Sequence, residues 1–151
     1  MTEPLRPPRE SAVPGLIGWF AARNAAWGSL LGACISIAWM VMIQDFFFAV
    51  FIALGSAALC AVYAAISSVP AFFAGQSAAR FRALVVGVVF ASTAMALQIV
   101  LLTLTNAHSS FTWHAGAFSV LGATNAAFIF RGTRHRVAAD ASNGSGSIAQ
   151  R

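Results

Sequence analysis

The sequence predicts an all-α fold, a polytopic membrane protein built as a four-transmembrane-helix bundle with both termini cytoplasmic. Three observations predict it. The chain of 151 residues is 59% hydrophobic and only 9% charged, with a mean hydropathy of +0.78. Soluble domains carry about 25% charged residues, so this composition cannot supply a water-facing surface. Second, the apolar residues gather into runs that reach the roughly 20 residues a helix needs to cross a bilayer. Third, all nine basic residues are arginines, and each falls outside the apolar runs. Arg6, Arg9 and Arg23 precede the first run, Arg80 and Arg82 separate the second from the third, and Arg131, Arg134, Arg136 and Arg151 follow the fourth. That alternation is the positive-inside pattern, and it places both ends and the second connection on the cytoplasmic side.

The elements follow in order. Residues 1–12 mix Pro4, Pro7 and Pro8 with charges, which predicts a disordered tail. A cleavable signal is not expected there, because a signal leads from a short basic stretch straight into an apolar core. Over 13–24, Val13, Leu16, Ile17 and Phe20 recur at helical spacing, with Trp19 and Trp27 nearby, and the stripe ends at polar Arg23 and Asn24. This fits an amphipathic helix lying in the membrane interface and, equally well, an extension of the first span. Ser11 is placed to cap it, with Pro14 in its first turn.

The first span is expected over 25–43 and the second over 46–69. Gln44 and Asp45 break the run, and the combined length requires two crossings. Asp45 is the expected N-cap of the second helix, and Pro70 is expected to close or kink it. The third span covers 83–104 and the fourth 111–130, joined by an outward loop with Asn106, His108, Ser109 and Ser110. A basic and then flexible tail fills 131–151. Phe46, Phe47 and Phe48 at one end of the second helix, and Phe72 and Phe73 at the other, read as lipid-facing or interfacial aromatics.

Small residues recur every fourth position. Gly28, Gly32 and Ser36 do so in the first span; Ala49, Ala53, Ala57, Ala61 and Ala65 in the second; Ala83, Gly87 and Ala91 in the third; Ala115, Ser119, Ala123 and Ala127 in the fourth. Lipid tails are as apolar as leucine, so helices in a bilayer associate through close backbone approach, which such stripes permit. They serve packing within one bundle or docking onto a partner helix. Cys34 and Cys60 read as small apolar fillers, not a disulfide or a metal pair.

No ionisable side chain falls well within a span, which counts against proton-coupled transport. Gln98 and Asn125 are the buried polar candidates, at different depths, and interhelical register bonds are their simplest role. His108, His114 and Asp45 share the outer side and are the weak candidates for a nitrogen–oxygen metal site, although their spacing does not gather them. No cofactor is expected, and no nucleophile elbow, paired acids, phosphate loop or zinc motif is present. Arg23, Arg80, Arg82, Arg131, Arg134 and Arg136 are assigned to lipid headgroups; the net charge of +5 then serves anionic lipid and not nucleic acid.

The layout is similar to that of small bacterial membrane proteins of many kinds, among them holin-like proteins, small multidrug carriers, immunity proteins and assembly factors. The multidrug carriers rely on a glutamate embedded in the first span, and this chain has none there. The expected function is a non-enzymatic accessory or assembly subunit of the bacterial inner membrane, acting through helix packing with membrane lipids and with copies of itself or a larger complex as partners. A small oligomeric channel, holin or transporter is the alternative.

Overall fold

The computed structural model describes residues 12–44, 47–78, 80–105 and 112–146. They form four helices: α1 (Ala12–Ile43), α2 (Ala49–Ser77), α3 (Arg82–Thr105) and α4 (Thr112–Gly146). Each helix packs on its neighbours in the order α1, α2, α3, α4 and back to α1, with α2 and α4 diagonal to one another. Among the described residues, three helices are long and apolar enough to cross a membrane: Gly15–Met42, Ala49–Ser77 and Arg82–Thr105. α4 is more polar because His114, Ser119, Thr124 and Asn125 punctuate it.

Helix ends depart from the sequence expectation in physically readable ways. α1 runs unbroken through 13–24 and 25–43, so the amphipathic stripe and the first span are one helix. Arg23 and Asn24 do not end it, because their polar groups are accommodated on the helix: Arg23 lies over the Trp19 ring at 5.3 Å, and the Asn24 amide donates to the Phe20 carbonyl at 3.0 Å. α1 stops at Gln44, whose φ of 55° is left-handed. α2 begins at Ala49, after an N-cap position held by Phe48 that offers no side-chain bond. The expected cap, Asp45, lies outside the described residues, as do Ser11 and the whole of the tail before it.

α2 continues through Pro70 to Ser77. The proline forfeits one backbone bond, and the neighbouring helices hold the element together on both sides of it. α4 likewise continues to Gly146, into the basic and then flexible tail expected over 131–151, helped by Ala138, Ala139 and Ala141, which favour helix.

The core sits at the end of the bundle where α1 begins. Phe20, Phe72 and Phe130 meet ring to ring with centroids 5.6 to 6.0 Å apart. Phe90, Phe118, Val86 and Ala71 continue the packed interior from there. Phe72 is therefore a core residue and not a lipid-facing one; Phe73, one position on, is exposed. The outer surface is apolar too, with Phe51, Leu54, Val62 and Ile66 of α2 and Leu84, Val88 and Ile99 of α3 exposed. Such a surface is stable against lipid and not against water.

Candidate functional site: a part-open cavity among the four helices

Small residues set the distance between α1 and α2. A Cβ added at Gly28 would lie 2.7 Å from the Cys60 carbonyl oxygen, and one at Gly32 would lie 2.6 Å from the Ser56 carbonyl oxygen. The Ser56 hydroxyl crosses the same interface and donates to the Gly32 carbonyl at 3.0 Å. On the other side of the bundle, Gly87 faces Ala123 and Ala127, and Gly122 lies under the Phe90 ring. Ala53, Ala57, Ala61 and Ala91 are half-buried.

Beside this contact lies a cavity of about 270 Å³ between the helices. All four helices line it. α1 supplies Gly32 and Ser36, and α2 supplies Ser56, Cys60 and Tyr63. α3 adds Gln98, and α4 adds His114, Ala115 and Phe118. Helical side chains lean toward the N-terminus of their own helix. Tyr63 therefore reaches up into the space from the bundle centre, whereas His114 leans toward the α3–α4 end and meets the Trp39 ring at 5.2 Å.

The polar groups of the cavity divide into bonded and unbonded sets. Gln98, which is 9% exposed, donates from Nε2 to the Ala94 carbonyl at 3.1 Å and to the Ser119 hydroxyl at 3.3 Å. Ser119, about three turns before the end of the apolar part of α4 and buried, is thus the register partner of Gln98; Asn125 is half-buried farther along α4. Ser36 and Tyr63 are 6% and 8% exposed, and their hydroxyls take no hydrogen-bond partner among the described residues. The buried Asn24 Oδ1 and Ser67 Oγ are also without partners, but they lie away from this cavity.

The described arginines gather at the opposite end of the bundle. Arg23 and Arg131 flank the Phe20 and Phe130 contact, Arg80 lies in the α2–α3 turn, and the half-buried Arg82 donates from Nε to the Ala78 carbonyl. The side chains of Arg134 and Arg136 lie outside the described set, as do Asp45 and His108. Of the metal candidates only His114 is described, and no three His, Cys, Asp or Glu side chains come together among the described residues.

Tyr63 and Ser56, which line the cavity, and the buried Asn24 escaped the sequence reading although a signal existed. Asn24 extends the stripe of Gly28, Gly32 and Ser36 by one step of four, which marks it as an inward position. Tyr63 is the one tyrosine of the chain and follows Ser56 and Cys60 on the same helical face. No protein-family model matches the chain, and no curated protein and no solved structure matches it either.

Proposed function

We propose that the chain is a small integral protein of the bacterial inner membrane that crosses four times, keeps both termini in the cytoplasm, and serves as a non-enzymatic accessory or assembly subunit. The observation that carries this reading is the outward face of α1. Gly15, Gly18, Ala22 and Ala26 are all exposed, and a Cβ at Gly15 or Gly18 meets nothing within 4 Å. The exposed positions of α2 and α3 hold mainly large side chains instead, as lipid-facing positions do. A stripe of small residues left open on one helix suits the close approach of a helix from another subunit.

The aromatic cluster supports the same reading. Phe20, Phe72, Phe90, Phe118 and Phe130 are at most 5% exposed and fill the bundle axis on the arginine side of the cavity. A route for ions along the axis of one chain would have to pass them. The arginines at that end suit anionic headgroups of the cytoplasmic leaflet.

Reconstitution tests the proposal. Purified protein in liposomes is expected to pass neither ions nor a small dye. Flux well above that of empty liposomes overturns the accessory reading in favour of an oligomeric channel or transporter.

A further inference from the structure

We propose that the cavity between the four helices is a binding site for a compact apolar alcohol or phenol, a molecule with one ring or branched body and one hydroxyl group. The inference is independent of the accessory role.

Size sets the first limit. A volume of about 270 Å³ exceeds what one aromatic ring needs, since an engineered apolar cavity of about 150 Å³ already holds benzene. It is far too small for a whole lipid. The mouth is marked by Ile52 and Leu59, which line the cavity and are also exposed on the outer face of α2. A lipophile dissolved in the bilayer thus has a lateral way in.

Polarity sets the second limit. The walls are apolar, with Leu59, Leu101 and Phe118 among them. Tyr63 and Ser36, residues 8% and 6% exposed, line the cavity, and their hydroxyls take no hydrogen-bond partner among the described residues. Hydroxyls that face an apolar cavity bond only to what enters it, so this arrangement suits a ligand that brings a hydrogen-bonding oxygen inward. A lipid tail would bring a methyl group there and leave both hydroxyls unpaired. A phenol or alcohol accepts from the Tyr63 hydroxyl while its own O–H donates to the Ser36 oxygen. Small-molecule sites combine an apolar lining with a few convergent polar groups in the same way.

Fluorine NMR of para-trifluoromethylphenol in micelles containing the protein tests the site, with trifluoromethylbenzene as the probe that lacks the hydroxyl. Saturable binding is expected for the phenol, about threefold to tenfold tighter than for the other probe, as one hydrogen bond contributes. Tyr63→Phe should remove most of that preference without affecting the helical fold. Leu59→Trp, placed at the mouth on a lipid-exposed position, should abolish saturable binding of both probes. Equal affinity of the two probes, or a preference unchanged in Tyr63→Phe, would mean an unspecific apolar hole filled by lipid tails and overturn the proposal. The absence of any saturable signal from the wild-type protein would overturn it as well.

Discussion

Ser56 on α2 donates its hydroxyl to the Gly32 carbonyl on α1 across 3.0 Å, at a place where the α1 backbone leaves no room for a Cβ. The bond and the close approach depend on each other. The missing Cβ of Gly32 lets the α1 carbonyl come within reach of a side chain as short as serine, and in lipid that hydroxyl has only protein groups to bond.

Adding one methyl group at this contact should therefore be costly. Gly32→Ala and Gly28→Ala are expected to destabilise the bundle by about 1–3 kcal/mol through overpacking. Gly55→Ala is the matched control: it lies on the same pair of helices, a Cβ there meets nothing within 4 Å, and the change should be neutral or slightly stabilising. Thermal unfolding in detergent, followed by circular dichroism, reads both.

The serines of α2 should behave in opposite ways. Ser56→Ala removes a bonded hydroxyl and is expected to cost about 0.5–1.5 kcal/mol. Ser67→Ala removes a buried hydroxyl that has no partner and should leave stability unchanged or raise it. Equal losses in the two variants, measured in the same unfolding assay, would show that Ser67 is bonded after all.

Gln98 and Ser119 should be coupled. A double-mutant cycle with Gln98→Leu and Ser119→Ala is expected to return an interaction of about 0.6 kcal/mol and not above about 1.7, the range for hydrogen bonds between helices in a bilayer. Pairing Gln98→Leu with Asn125→Leu in a second cycle should return none.

How much of this was legible in the sequence differs from residue to residue. The four helices were readable because each rests on a long apolar run, and Gln98 stood out as an amide inside one. Its partner did not, since Ser119 is one of several hydroxyls on α4 and only the α3–α4 register selects it. The break at Gln44 was placed rightly, whereas Arg23, Asn24 and Pro70 lie inside helices. Asn24 satisfies its donor on its own helix and stays inside the core, and Pro70 is carried within α2 because the flanking turns are packed. Phe72 and Phe73 are adjacent in sequence and face opposite environments, which a helix period resolves only once the inward side is known. The cavity could not be foreseen: its lining comes from four helices, and no single segment carries its pattern.

The α1 terminus carries local strain that a single change should relieve. Gln44 holds a φ of 55°, where a Cβ is disfavoured by about 1–2 kcal/mol. Gln44→Gly is expected to raise the unfolding midpoint by the equivalent of about 1 kcal/mol, and a drop in the midpoint would show that the glutamine side chain contributes more than its backbone costs.

The central claim, that the open small-residue face of α1 receives a helix from another subunit, is tested most directly by native mass spectrometry of the protein extracted in mild detergent from the cells that make it. The account predicts a complex containing a second, different membrane polypeptide, and its loss in Ala22→Leu/Ala26→Leu with the bundle itself intact. A mass corresponding to the chain alone or to a ring of identical copies, the same in both proteins, would contradict it.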